Sequence, residues 1–281
     1  MNYRHAFHAG NFADVLKHIV LVRVLLHLRT KEAAFRVIET HSGAGRYDLQ
    51  SDASGRTEEW REGIARLLAQ PLGARVDEIV EPYLALIREG NPRTELTSYP
   101  GSPAIALALT RPQDRLVFYE RHPEEYAALA AIVGHGKRTR AVEGDGWLAL
   151  KAELPPPERR GLVLVDPPFE EAGEFIRLSD GLAEAHRRWA TGTYLLWYPV
   201  TDVRATEGFV HRIAELGISK LLRIELAIGT PSPDQPLVAC GMLAVNPPWT
   251  LEADLNAVLP ALAHALGRDR PGKYRVEWLM Q

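Results

Sequence analysis

The sequence is poor in cysteine and has no long apolar run. Cys240 is the single cysteine in 281 residues, which excludes an intramolecular disulfide and is typical of a reducing compartment. No apolar stretch reaches the length that spans a bilayer, and the first residues do not follow the pattern of a signal peptide. We therefore expect a cytoplasmic protein with no membrane partner.

An excess of positive charge is also missing. Lysine and arginine number 33 against 36 aspartate and glutamate residues, for a formal net charge of −3 at pH 7. A partner rich in phosphate would therefore require basic residues gathered on one side of the molecule. The candidates, each of which is also typical of a solvated surface, are Arg4, Lys17, Arg46, Arg56, Arg61, Arg159 and Arg160.

A third absence concerns glycine. The apolar run at 35–38 is followed by Glu39 and then by the turn Gly43-Ala44-Gly45, where glycine permits positive φ and close approach of a ligand to the backbone. A nicotinamide-binding fingerprint would require a third glycine at Tyr47 or Asp48 and a helix directly after it. The turn instead suits S-adenosylmethionine, which has no pyrophosphate.

The most informative segment that is present is an apolar run at 162–165 followed by Asp166-Pro167-Pro168-Phe169. The run predicts a buried parallel strand, and the two prolines make the following loop stiff. The carboxylate of Asp166 and the carbonyl of Pro167 can accept both hydrogens of a planar amine, and a base can stack on Phe169. The segment therefore predicts a site that holds and orients an amino group, such as that of a purine, although Asp-Pro-Pro is also a common turn.

Two further strand ends carry acids. Glu120 ends an apolar run, and an acid at this position commonly accepts from both ribose hydroxyls. Asp145, between two glycines, could accept from the adenine amine of the cofactor. Each acid alone is typical of a solvated loop, but the order Gly-x-Gly, Glu, Asp, Asp-Pro-Pro-Phe predicts the sheet of a methyltransferase.

A similar tetrapeptide, Asn246-Pro247-Pro248-Trp249, also follows an apolar run. It comes at the end of the last strands, in a predicted hairpin from 221–226 to 242–245, and we assign it a structural role. Asp166, by contrast, is predicted to lie beside the glycine turn, where the strand order reverses and ligands bind.

The whole pattern predicts an α/β fold with a Rossmann-like, class I S-adenosylmethionine-dependent methyltransferase sheet in a single domain, 1–281. Helical periodicity over 51–97 interrupts the passage from the glycine turn to a helix near Ser102, and it predicts an inserted small helical subdomain. Further helices are predicted at 123–133, 174–189, 206–216 and 251–266, with a strand at 193–197.

The histidines at first suggest a metal site, because His5, His8, His18 and His41 lie near acids. No His-Glu-x-x-His or other compact ligand spacing accompanies them, so we expect no metal. Asn11 and Asp14 instead predict the cap and first turn of a helix.

Several motifs resemble the bacterial 23S ribosomal RNA adenine-N6 methyltransferases of the J type. They are residues 3–11 with 13–18, 40–47, 99–103 and 195–199, and the similarity runs over essentially the whole chain. The amino-terminal motif is highly specific, whereas Asp-Pro-Pro-aromatic is shared by many amino-group methyltransferases. Relatives often carry tyrosine where this chain has Phe169, a change that keeps the stacking ring and is expected to preserve activity.

The resemblance implies S-adenosylmethionine as the cofactor and 23S ribosomal RNA as the substrate. It implies Asp166 as the proton acceptor and Tyr3 as an aromatic residue that meets the RNA. We expect a monomer with no obligatory protein partner. The implied cofactor contacts are His18, His41, Ser102, Glu120, Asp145, Gly146 and Asp166.

The expected mechanism is direct, in-line transfer to an adenine that has left its stack. Hydrogen bonds to Asp166 and Pro167 favour a pyramidal nitrogen, and Asp166 or a linked water takes the proton. Three alternatives stay open: a methyltransferase for DNA adenine or a protein glutamine, a non-catalytic RNA-binding protein on the same fold, and a histidine-based metallohydrolase.

Overall fold

The structure is a computed structural model that describes residues 5–51, 54, 57–93, 95–134, 136–232, 237–268 and 271–281. Tyr3, Arg4 and Arg56, which the sequence singles out, lie outside the described residues, and their roles stay predictions. The strands are β1 Arg36–Glu39, β2 Arg46–Asp48, β3 Ser98–Pro100, β4 Arg115–Glu120, β5 Thr139–Glu143, β6 Gly161–Val165, β7 Thr193–Pro199, β8 Leu221–Ala227, β9 Ala239–Val245 and β10 Lys273–Met280.

One eight-stranded sheet contains every strand named above except β2 and β3. Its order is β5-β4-β1-β6-β7-β9-β8-β10. The first five of these strands are parallel, β9 runs antiparallel to both of its neighbours, and β10 runs antiparallel to β8. The side chains of β6 are all buried, which explains its continuous apolar sequence. The predicted α/β, Rossmann-like fold class is confirmed.

Helices cover the faces of this sheet. Their bounds are α1 Phe12–Arg29, α2 Ala74–Gly90, α3 Ser102–Leu109, α4 Pro123–Val133, α5 Gly146–Ala152, α6 Glu174–Arg188, α7 Val203–Ala214 and α8 Leu251–Leu266. The helix predicted at 206–216 begins three residues earlier, because Asp202 accepts hydrogen bonds from the backbone N–H groups of Arg204 and Ala205. In the described part of the chain, no helix is both long and apolar enough to cross a membrane.

The strand order places β1 between β4 and β6. The chain therefore leaves β1 toward one neighbour and later returns on its other side, which is the reversal that opens a ligand crevice at the carboxyl ends of the strands. β9 is antiparallel to β7, so Asn246 lies at the opposite edge. There its side-chain amide donates to the carbonyls of Ala190 and Gly192, both at 2.8 Å, which agrees with a structural role.

Helix α1 is buried on nearly all sides. Its cap is Asn11, whose side chain accepts from the backbone N–H groups of Ala13 and Asp14 at 2.9 and 3.0 Å, as predicted. The buried side chains include Val15, and they pack in the same core as those of α2, α3 and α8. A central helix of this kind gives its polar residues fixed positions.

The segment 51–97 leaves and rejoins the main domain through the antiparallel pair β2 and β3. It contains a π-helical turn at Arg61–Ala65, a helical turn at Arg66–Leu68, and α2. One face of α2 is apolar and packs in the core that contains α1. The description of 51–97 as an inserted subdomain of a single domain stays a prediction.

The π-helical turn contacts the chain just before α1. Gly63 departs from helical geometry, with φ −102° and ψ −106°, and Ile64 donates its backbone N–H to the carbonyl of Gly10 at 2.9 Å. A Cβ atom on Gly63 would lie 2.1 Å from the oxygen of Gly10. Only glycine therefore fits this contact between the inserted segment and the start of α1.

Substitution of Gly63 tests this contact. Gly63→Ala should lower the free energy of unfolding by about 1–3 kcal/mol, because the methyl group forces two backbones apart. Gly208→Ala is the matched control, since Gly208 lies in α7 and an added Cβ would meet nothing within 4 Å there, and it should stabilise the protein by up to about 1 kcal/mol. Urea denaturation measures both changes, and equal effects would contradict the close contact.

Candidate active site

A cavity of about 1030 Å³ opens at the carboxyl ends of the parallel strands. Its volume is at the upper end of the range for ligand sites. Every site residue predicted from the sequence that lies among the described residues lines it: His18, His41, Ser102, Glu120, Asp145, Gly146, Asp166, Pro167 and Phe169. The structure thus brings together residues that are up to about 150 positions apart in sequence.

The glycine turn and Glu120 form one unit. Gly43 and Gly45 have φ values of +62° and +76°, which favour glycine. The backbone N–H of Gly43 donates to one carboxylate oxygen of Glu120 at 2.8 Å, and that of His122 donates to the other at 2.7 Å. Each oxygen keeps acceptor capacity, so the fixed carboxylate can still bind a pair of hydroxyl groups.

Asp145 caps α5. One of its oxygens accepts from the backbone N–H of Trp147 at 3.0 Å, which fixes the carboxylate at the cavity wall. A Cβ on Gly146 would lie 1.7 Å from the oxygen of Thr40, so α5 begins in direct contact with the loop that follows β1. A side chain at this position would separate the two loops.

His41 lies beside Asp145 on the same wall. Its Nδ1 atom is 2.8 Å from the Thr40 hydroxyl, and its ring meets the Trp147 ring edge-on at 5.3 Å. Burial lowers the pKa of His41 to about 4, so the ring is neutral at pH 7. A neutral imidazole offers one donor and one acceptor rather than a charge.

Asp166 is held by an ion network that joins it to α1. The ammonium of Lys17 lies 2.6 Å from a carboxylate oxygen of Asp166 and 2.9 Å from one of Asp14, and the three side chains are 6%, 14% and 1% exposed respectively. Burial alone would lower the pKa of Lys17, but the two carboxylates outweigh it and raise that pKa above its usual value. Lys17 is therefore charged and buried. The sequence suggested it as one of several surface residues that contact RNA, and its burial corrects that suggestion.

Asp14 also receives other donors. Its carboxylate accepts from His5 Nε2 at 3.0 Å and from the backbone N–H of Gly10 at 2.9 Å. Burial would raise the pKa of Asp14, yet His5, Lys17 and His18 hold it well below its usual value. A buried carboxylate with this many donors stays ionised.

Two residues that line the cavity, His18 and Ser42, carry polar atoms without partners in the part of the chain that the structure describes. His18 Nδ1 is 2.7 Å from the hydroxyl of Tyr99, whereas its Nε2 atom and the hydroxyl of Ser42 have no hydrogen-bond partner among the described residues. Burial lowers the pKa of His18 to about 3. Buried polar groups normally have partners, and both residues line the cavity, so a polar ligand there is one way to supply the missing partners.

Glu39 is fully buried and contacts Ser102, which lines the cavity. Ser102 donates its hydroxyl hydrogen to one oxygen of Glu39 at 2.7 Å, and burial raises the pKa of Glu39 to about 8. The sequence shows Glu39 as the acid that ends β1 but gives it no role. Its complete burial next to a single donor explains why the protonated form is favoured.

The aromatic member of the tetrapeptide has an unusual backbone. Phe169 has φ +52°, a conformation that costs a bulky residue roughly 1–3 kcal/mol. Its ring meets Phe175 at 5.1 Å and Trp197 at 5.9 Å, in both cases edge-on. The ring is half-buried and lines the cavity together with the two prolines before it.

The other described basic candidates lie outside the cavity wall. Arg160 donates to the backbone carbonyls of Leu28 and Ala33, at the amino-terminal edge of the sheet. Arg61 lies over the ring of Trp60 and pairs with Glu58. Within the described ranges, no group of three or more histidine, cysteine or acidic side chains has an arrangement that could hold a metal ion.

Sequence patterns did not reveal that Lys17 contacts Asp166. The two residues are 149 positions apart, and the local signal is only that Asp14 and Lys17 are three residues apart on a helix. An acid and a base at this spacing on a helix that is otherwise apolar could have indicated a buried pair. The tertiary partner becomes visible only when α1 and β6 are placed together.

The charge state of Glu39 can be tested through stability. A carboxyl group whose pKa is raised on folding contributes stability that is present below its unfolded pKa, and this contribution is lost as the pH rises through the folded pKa. The wild type should therefore lose stability relative to Glu39→Gln between pH 4.5 and about 8, by up to about 1.4 kcal/mol per pH unit.

Urea denaturation of the cofactor-free protein at four pH values in this range measures the difference. Glu78→Gln is the control, because Glu78 is exposed on α2, where it pairs with the exposed Arg75, so its difference from wild type should not change with pH. Parallel pH curves for wild type and Glu39→Gln would show that Glu39 is ionised in the folded state.

Comparison with known proteins identifies relatives over the full chain. The protein is 42% identical over 283 residues to the ribosomal RNA large subunit methyltransferase J of Escherichia coli (strain K12), covering 100% of this chain and 99% of that protein. It is also 42% identical over 280 residues to the protein of the same name from Haemophilus influenzae (strain ATCC 51907 / DSM 11121 / KW20 / Rd), covering 99% of each.

A solved structure and a family model agree with these matches. Protein LPL1258 from Legionella pneumophila str. Philadelphia 1 superimposes with a TM-score of 0.86 at 36% identity, covering 96% of this chain and 98% of that one. The family model described as ribosomal RNA large subunit methyltransferase D, RlmJ, matches residues 32–280. The chain belongs to this family of large-subunit ribosomal RNA methyltransferases.

Proposed function

We propose that this protein transfers a methyl group from S-adenosylmethionine to the exocyclic N6 amine of an adenine in 23S ribosomal RNA. The relatives at 42% identity are named ribosomal RNA large subunit methyltransferase J. The observation that carries the proposal is the position of Asp166-Pro167-Pro168-Phe169 on the same cavity as the Gly43–Gly45 turn. A site for an amine beside a loop suited to the methyl donor is what this reaction requires.

The cavity residues fit the cofactor, which supplies an electrophilic methyl group on a sulfonium when it is bound. We assign Glu120 to the ribose hydroxyls and Asp145 to the adenine amine, because backbone N–H groups fix both carboxylates. We assign His18 and Ser102 to the methionine end, since His18 has an unpartnered nitrogen there. The remaining proposed contacts are His41, Gly146 and Asp166.

Asp166 and Pro167 act on the target amine. Their carboxylate and carbonyl oxygens accept the two amine hydrogens and orient the nitrogen lone pair away from the ring, and Phe169 stacks on the base. Lys17 binds one oxygen of Asp166, and the proposal assigns the other oxygen to the amine. This fixed position lets Asp166 orient the amine, and Asp166 or a linked water takes the released proton.

The finer assignments are part of the same proposal. We infer a monomer that acts in the cytoplasm, where its RNA substrate is made, and a single domain in which 51–97 forms a subdomain. The support for the last point is that β2 and β3 bring the two ends of this segment together. Tyr3, outside the described residues, is assigned to the RNA.

Replacement of Asp166 tests the mechanism. Asp166→Asn should lower the rate of methyl transfer by at least about 100-fold, because the amide places hydrogens where the carboxylate accepts them. Asp180→Asn is the control, since Asp180 is exposed and pairs with Arg212 on the surface, and it should keep the full rate. Initial rates at saturating cofactor and RNA, with circular dichroism as a check on folding, measure both variants. A folded Asp166→Asn variant with near-normal turnover would rule out this mechanism.

The substrate can be identified with three acceptors. Unmodified 23S ribosomal RNA, adenine-containing DNA and a protein extract are incubated with labelled cofactor, and digested products are analysed by mass spectrometry. We expect N6-methyladenosine in the RNA alone. Methylation of DNA or of a glutamine would replace the proposed substrate, and a lack of cofactor binding in calorimetry would favour a non-catalytic RNA-binding protein.

A further inference from the structure

Phe169 has a backbone conformation that a side chain of its size rarely adopts, with φ +52°. Conformations of this kind concentrate at functional sites, and they persist only where the surrounding structure imposes them. Phe169 follows two prolines, which restrict the chain before it, but prolines do not hold the ring that comes next. The packing around that ring must do so.

The neighbours of Phe169 form a continuous row of aromatic side chains. Phe169 meets Phe175 with ring centres 5.1 Å apart and also meets Trp197 at 5.9 Å. Phe175 meets Phe209 at 4.8 Å, and Phe209 meets Tyr198 at 5.3 Å. We call Phe169, Phe175, Phe209 and Tyr198 the aromatic row. It connects the loop that carries Asp166 and Phe169 to α6, α7 and β7.

The far end of the aromatic row is fixed by charged groups. The hydroxyl of Tyr198 donates to Glu225 at 3.0 Å. Arg223, only 3% exposed, is 2.7 Å from Glu225 and 2.6 Å from Glu207. A Cβ on Gly241 would lie 2.3 Å from the ring of Tyr198, so the neighbouring strand leaves room for this ring only because that residue is glycine.

We infer that Phe175, Phe209 and Tyr198 are positioning residues for the methyl-transfer reaction. They hold the ring of Phe169 in its strained conformation, ready to stack on the target adenine. The inference rests on the proposed function, which assigns stacking to Phe169. Phe209 and Tyr198 do not line the cavity, and their ring contacts connect them to it through Phe175 and Phe169.

Phe209→Leu is the sharpest test, because Phe209 is buried and contacts Phe175 rather than Phe169 itself. Trp189→Leu is the matched control. Trp189 is also a buried aromatic residue of the same core cluster, but it follows the carboxyl end of α6 and contacts Tyr194, near the start of β7 and away from the cavity. Both variants lose an aromatic contact and should lower the melting temperature.

We expect the two variants to differ in the KM for RNA. Phe209→Leu should raise the KM for RNA about fivefold, the value of one aromatic pair, with the dissociation constant of S-adenosylmethionine unchanged. Trp189→Leu should leave both constants unchanged. In a Phe169→Leu background, adding Phe209→Leu should change the KM for RNA by less than about twofold, because the ring that Phe209 positions has already been removed.

Each other outcome has a definite meaning. Equal KM values for Phe209→Leu and Trp189→Leu, or full additivity of Phe209→Leu with Phe169→Leu, would show that the aromatic row is ordinary core packing and would overturn the inference. In both cases the wild type still methylates RNA, so the proposed function stands. A wild type that does not methylate ribosomal RNA would overturn the proposed function and this inference together.

Discussion

The ammonium of Lys17 is buried between the carboxylates of Asp14 and Asp166. It therefore links helix α1, in the core of the protein, to the loop that lines the cavity. Removing one partner of a buried ion network leaves an uncompensated charge, at a cost of roughly 3–5 kcal/mol, so the three groups depend on one another. Lys17 belongs to a helix with almost no exposed surface. The position of the Asp166 carboxylate is therefore set by the packing of α1 against the sheet as well as by the loop that carries it.

The same principle applies to the other acids of the cavity. Glu120 accepts backbone N–H groups from the glycine turn and from the start of α4, and Asp145 accepts one from α5. Each carboxylate is thus oriented before a ligand arrives, and little reorganisation is needed on binding. The reversal of strand order at β1 brings these separate strand ends to one edge, which no single loop could do.

The sequence revealed the strand ends because buried strands followed by glycine, acid or proline leave a local pattern. It missed contacts that depend on distant elements, of which Lys17 with Asp166 is the clearest. It also missed β10, although Tyr274, Val276, Trp278 and Met280 alternate with other residues as a strand requires. The row of rings behind Phe169 was invisible for a different reason, since its members come from three elements whose packing no spacing encodes.

The charge of the cavity limits which part of an RNA molecule can enter it. The charged residues that line it are Asp14, Glu120, Glu125, Asp145, Asp166, Glu170, Glu171 and Glu174 against Lys17, Arg121 and Arg177. Burial lowers the pKa values of His18 and His41, so these two add no positive charge, whereas Glu59 outweighs burial at His8 and raises its pKa. An acidic cavity repels phosphates but suits a sulfonium and the hydrogens of an amine. Under the proposed function, an acidic cavity is compatible with entry of a single extruded base while the phosphates stay outside it.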